Sequence, residues 1–227
     1  MAKKSKLDDD FHSYLVEGVN LLGDAGIPEL LDLHNTEIPV DLMPFEIARN
    51  SSKKEDRKKY IHFYQFDGTF SDVLTSTRKY LKLFQTYAGV ISPDCSLLIG
   101  QAKCLQQTNT YFNRAVGVYL QKHGIPVIPN VRWSDEQSYE YCFLGIPKHS
   151  IVSISTHGCV DRSEKYVRKV FKKGLAKMLE VLEPSTIVVH GYMPDDIFGE
   201  YLDKYHFVRY KSQLERTHES DEKSEEV

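Results

Sequence analysis

The chain has 227 residues, enough to bury one sizeable core, so a single domain is expected. Hydrophobic residues make up 41% and charged residues 27%, which excludes a disordered or fibrous chain. The formal net charge is −3, but residues 215–227 carry six acids and two bases, so the body is nearly neutral and lacks a nucleic-acid-binding footprint.

Residues 1–10 mix lysine and aspartate with no apolar stretch behind them, which reads as a flexible N-terminus without a secretory signal. No apolar run approaches the ~20 residues that span a bilayer, so no membrane segment is expected and the cytoplasm is the expected location. Phe11, Leu15, Val19 and Leu22 recur at intervals of three or four and predict a helical segment from residue 11 to about residue 33. The polar run from Asn50 to Asp56 predicts an exposed, mobile loop, and Lys53 to Lys59 is the obvious local basic stretch. Then a repeating pattern begins. The aromatic run Tyr60–Phe66 predicts a strand, residues 71–87 a helix, and Val90–Ser92 a second strand. A long helix over about 101–122 stops at Gly124, and residues 126–131 form the third strand. Ser150–Ser155 is the fourth strand, and residues 164–182 form a helix whose buried stripe runs from Val167 to Leu182. Thr186–His190, a helix over 195–204 and Phe207–Tyr210 complete the series. Residues 215–227 are charged and lack apolar anchors, which predicts a disordered acidic tail behind a domain of residues 11–214.

Strands alternating with helices predict an α/β fold with a mainly parallel sheet of about six strands, plus the N-terminal helical segment. An open sheet and a TIM-like partial barrel both fit the pattern. No G-x-G-x-x-G or P-loop follows any strand, which tilts the reading toward the barrel and against a dinucleotide or P-loop enzyme.

Several motifs recur in order: Ser92-Pro93-Asp94-Cys95-Ser96, Asn109-Thr110-Tyr111 with Arg114, Ile125 to Trp133, Cys142 to Pro147, Ser150–Thr156 with Gly158-Cys159, and Leu182 to Ile187. On these motifs residues 20–195 resemble the domain-of-unknown-function family numbered 4417. The resemblance implies a protein of bacteria, their phages and other mobile elements. It implies no activity, cofactor or residue role.

Candidate chemistry therefore rests on position. Parallel α/β folds bind ligands beyond the carboxyl ends of their strands. Those ends carry Asp67, Asp94, Asn130 with Arg132 and Trp133, His157 with Asp161, and His190. Asp67, Asp94, His157 and His190 are the catalytic candidates, expected to share one cavity. Asp67 precedes Gly68, where a plain turn is the favoured reading, and Asp94 equally suits a helix cap. Asn130 and Arg132 are two apart, so they share one side of an extended segment. An Arg fork beside an amide suits a carboxylate or phosphate, and Trp133 suits stacking on a flat ring. The competing arrangement pairs Arg132 with Asp135 or Glu136 on the surface. Gly158 opens space beside His157, and Asp161 is placed to orient its ring. His157 and His190 with an aspartate would make a nitrogen–oxygen metal set, but no metal motif accompanies them. Asn109 and Arg114, further ligand-binding candidates, share a helix face that is either a buried polar network or, as favoured here, a solvated one. The four cysteines lack C-x-x-C spacing, and Cys159 is expected to be a buried thiol rather than a nucleophile. No cofactor is indicated. An enzyme acting on a small polar or phosphorylated, nucleotide-like molecule is the leading expectation, and a non-catalytic ligand-binding or host-interaction protein the alternative.

Overall fold

The structure, a computed structural model, describes residues 12–32 and 37–217. The expected N-terminal helical segment is replaced by a 3-10 turn over residues 12–16 and two short antiparallel strands, β1 (Leu21–Leu22) and β2 (Ile27–Pro28). The reason is local: Gly18, Gly23 and Gly26 all take positive φ, which no helix continues through.

Seven further strands are parallel. A strand that the sequence reading missed, β3 (Leu42–Pro44), pairs with β4 (Tyr60–His62), followed by β5 (Gly89–Ile91) and β6 (Val127–Ile128). The second parallel sheet is β7 (Ile151–Ser155), β8 (Thr186–His190) and β9 (Phe207–Tyr210). One parallel bridge, Asn130 to Ser153, links the two ladders. The expected single sheet of about six strands is thus corrected to a four-stranded and a three-stranded sheet. Strand order follows chain order throughout.

The helices are α1 (Phe45–Ala48), α2 (Ser71–Thr75), α3 (Leu81–Phe84), α4 (Lys103–Lys122), α5 (Lys165–Leu182) and α6 (Asp195–Phe198). The predicted helix over 71–87 is broken at Ser76, where Thr77 Oγ1 turns back to the Val73 carbonyl at 2.7 Å, and a 3-10 turn precedes α3. The loop before β4 is less free than expected. It forms a 3-10 turn, and Asp56, 5% exposed, accepts from Ser51 Oγ at 2.5 Å.

Three apolar clusters organise these elements. One lies between the four-stranded sheet and α4 with the short helices, around Phe45, Phe63, Phe84 and Leu120. A second packs α5 and the 131–146 segment against the three-stranded sheet. The third takes one residue from each of the seven parallel strands: Leu42, Tyr60, Ile91, Ile128, Ile151, Val188 and Tyr210.

Residues 213–217 are helical and anchored, where the acidic tail was expected to begin. Glu215 accepts from Ser212 N and Oγ at 2.9 and 3.0 Å, and Arg216 Nη2 donates to Asp41 Oδ1 at 2.5 Å. The predicted flexible residues 1–10 and the remainder of the tail lie outside the described residues. No helix among the described residues is long and apolar enough to cross a membrane.

Candidate functional site

Each inner strand face starts apolar and ends polar. On β7, Ile151 joins the third cluster while Ser153 and Ser155 follow on the same side, and Val152 and Ile154 face α5. Tyr60 is followed by His62 and Tyr64, Val188 by His190, and Ile128 by Asn130. All of these polar side chains are buried.

Asn130 is the hub. Its Nδ2 donates to Asp94 Oδ1 at 2.8 Å, and its Oδ1 accepts from Tyr64 OH at 3.2 Å. Its backbone N donates to Ser92 Oγ at 2.8 Å, and its carbonyl accepts from Asn113 Nδ2 and Arg114 Nη1, each at 3.1 Å. Tyr64 OH also meets Ser153 Oγ at 2.6 Å. A hydrogen-bonded chain therefore runs from Asp94 through Asn130 and Tyr64 to Ser153. The shared side predicted for Asn130 and Arg132 appears here, since both reach the Asp94 carboxylate. Arg132 Nη1 lies 3.8 Å from Asp94 Oδ2, so Asp94, rather than Asp135 or Glu136, is its partner. That carboxylate holds the half-buried guanidinium's pKa above its ordinary value, against the effect of burial. Burial pushes the pKa of the Cys159 thiol up, against the effect of the nearby Arg132 cation.

Beside this chain, His62 and His190 face each other with ring centroids 4.6 Å apart, and Tyr64 stacks on His190 at 4.8 Å. The Tyr64 N–H donates to His62 Nδ1 at 3.2 Å, which fixes the neutral tautomer with its proton on Nε2. Burial holds His190 down to about 4 and His62 well below its ordinary value.

The remaining candidates are dispersed. Asp67 accepts from Ser96 N and Oγ at 3.1 and 2.9 Å and pins the 92–96 loop. Asn109 donates to the Ser96 carbonyl at 2.6 Å from α4. Arg114 is 1% exposed and spends its donors on the carbonyls of Leu144, Cys142 and Asn130 and on Asn113. The α4 polar face is therefore a buried network, not the solvated face expected. Burial lowers Arg114 to about 10. Asp161 accepts from Ser163 N and Oγ, a local turn, so it does not orient the exposed His157. Of Asp67, Asp94, Arg132, His157 and His190, expected to converge, Asp94 and Arg132 form an ion pair, while Asp67 acts on Arg132 and His157 on His190 only electrostatically. Among the described residues no group of three or more His, Cys, Asp or Glu side chains is placed to hold a metal.

A cavity of about 340 Å³ has Arg132 in its wall, together with Trp133, Leu97, Ile99, Cys159 and Phe171. Trp133 packs on Phe171 with ring centroids 5.2 Å apart. The cavity is an apolar, aromatic space with a buried-rooted cation in its wall, which suits a flat anionic molecule. The sequence reading missed His62, Tyr64, Ser153, Ser155 and Asn113. The signal for His62, Tyr64, Ser153 and Ser155 was the period-two placement of polar side chains along and just beyond β4 and along β7, whereas Asn113 lies on α4 beside Arg114.

The family described as Domain of unknown function (DUF4417) matches residues 20–211. The chain is 30% identical over 166 residues to the Gene 1 protein of Mycobacterium phage L5, covering 73% of this chain and 72% of that protein. It is 29% identical over 164 residues to the Gene 1 protein of Mycobacterium phage D29, covering 72% of this chain and 60% of that protein. No solved structure matches significantly.

Proposed function

We propose that this chain, which belongs to the Domain of unknown function (DUF4417) family and has phage relatives, binds a small flat molecule bearing a carboxylate or phosphate in the cavity at Arg132. The observation that carries this reading is the guanidinium in a mainly apolar wall that also holds Ser134. Its nearest carboxylate stands at 3.8 Å, beyond hydrogen-bond distance, and is itself fixed by Asn130 at 2.8 Å. A cation so rooted keeps donors for an incoming anion, while Trp133 and Phe171 offer ring faces.

The seven strands, on this reading, curve as a TIM-like partial barrel around the residues of the third cluster. Chain-ordered parallel strands and one residue from every strand in that cluster support it. The carboxyl-end location of the cavity then follows the rule for such folds. Among the residues first weighed as catalytic, only Asp94 belongs to this site, as the anchor of Arg132. His157, Asp67 and His190 are left out of this reading, because none of them lines the cavity, and Asp67 is bonded to Ser96 while His190 packs on His62.

Trp133 is the single tryptophan of the chain, so its fluorescence reports occupancy. Titration with benzoate and with phenyl phosphate should shift the Trp133 emission saturably, and neutral phenol should bind more weakly. The Arg132→Gln variant should weaken the acids about tenfold or more, the scale of a lost charge-assisted hydrogen bond, and leave phenol unchanged. Acids that leave the emission unmoved, or bind Arg132→Gln as well as the parent, would overturn the reading.

A further inference from the structure

We infer that the cavity at Arg132 continues into a second compartment, which takes a hydroxylated, sugar-like extension of the same ligand. This rests on the anion-binding reading of the first cavity. The second compartment, of about 320 Å³, shares Val170 of α5 as a wall with the first. The two also meet along the chain, because Trp133 and Ser134 line the first and Asp135 begins the lining of the second.

Two orphaned hydroxyls mark this path. Among the described residues three buried side-chain polar atoms lack a hydrogen-bond partner, and two of them are Ser134 Oγ and Tyr139 OH. Ser134 lines the first compartment and Tyr139 the second. Both oxygens are closed off from solvent and buried polar groups in folded proteins are otherwise paired, so a bound molecule that displaces the groups covering them completes the pairing.

The second compartment is not another anion site. Its Lys173 is tied to Glu136 at 2.5 Å, and Lys169 is offset by Asp135 in the same lining. What remains is two tyrosine rings, Tyr139 and the 62%-exposed Tyr166, flanked by an amide (Gln137), an ammonium and a carboxylate. Aromatic rings take the C–H face of a pyranose, and planar polar groups exchange hydrogen bonds with its hydroxyls. The ligand class is therefore an aryl acid carrying a sugar.

The test uses two probes that share ring and acid and differ in the sugar: 4-carboxyphenyl glucoside and 4-methoxybenzoate, both read by Trp133 fluorescence. The glucoside should bind about tenfold more tightly than the methoxybenzoate. Tyr139→Phe should erase that difference without changing the methoxybenzoate affinity. Because its hydroxyl has no partner, Tyr139→Phe should also melt no lower than the parent chain. Equal binding of the two probes, or a difference that survives in Tyr139→Phe, overturns the second compartment and leaves the first intact. A lowered melting temperature in Tyr139→Phe shows that the hydroxyl is paired within the protein and overturns it equally. Binding of neither probe overturns both readings together.

Discussion

His62 and His190 show how a few atoms set a property of the molecule. Each is 3% exposed, and burial keeps both rings neutral in the folded chain. The groups around them are mixed, with His157 and Arg216 lowering the His190 pKa and Glu215 raising it. Since the folded-state pKa values lie below the unfolded value of 6.5, the unfolded chain binds protons first as pH falls. The stability contributed by the neutral pair is complete above about pH 6.5 and declines as pH falls toward about 4. For His190 alone the decline amounts to ~3 kcal/mol at most. Urea denaturation near pH 7 and near pH 5 should show this loss, and a His62→Asn/His190→Asn variant should show much less of it. An unchanged pH slope in that variant would place the titration elsewhere.

At the scale of elements, α5 and the segment after β6 come closest where Gly174 meets Trp133. A Cβ built on Gly174 would stand 2.0 Å from Trp133 Nε1. In an exposed helix interior, Gly to Ala stabilises by up to ~1 kcal/mol. Here the clash outweighs that gain, because Trp133 is 7% exposed and packed between Phe143 and Phe171. Gly174→Ala should cost ~2–4 kcal/mol in chemical denaturation and blue- or red-shift the Trp133 emission as the ring moves. A stabilised variant with unchanged emission would show that α5 is free to shift. The same packing makes Trp133 part of the hydrophobic core as well as a wall of the cavity. Its position beside Arg132 was legible in sequence; its neighbours were not, since α5 lies more than thirty residues further along the chain.

On the whole-molecule scale, the last described turn returns to the first parallel strand. Arg216 meets Asp41, which sits beside β3, and Tyr210 OH donates to the Pro39 carbonyl. Burial works against the Asp41 charge, yet hydrogen bonds from Arg216 and the Leu42 amide hold its pKa below the ordinary value. Both partners are partly exposed, so solvent screening limits the contact to about 1 kcal/mol. Truncation after Leu214 should lower Tm by about 2–4 °C, and truncation after Thr217 should leave it unchanged. Equal Tm for the two truncated chains would mean that this turn holds nothing together.

What the sequence alone determined were the features written in local periodicity. β8 and β9, the long helices α4 and α5, and the parallel α/β class follow from runs whose burial pattern repeats within a few residues. The pairing of Asn130 with Arg132 on one side was legible for the same reason. Only the tertiary structure decided the rest. β1 to β3 are two or three residues long, too short to carry a period, and three glycines undo the apparent helix before them. Asp94 reaches Arg132, Tyr64 reaches Ser153 and His62 reaches His190 across 38, 89 and 128 residues of chain. Such contacts are fixed by how the strands of the two sheets are ordered and packed, and no local pattern encodes that order. The site is therefore a property of the packed strand ends, while its ingredients are a property of the sequence.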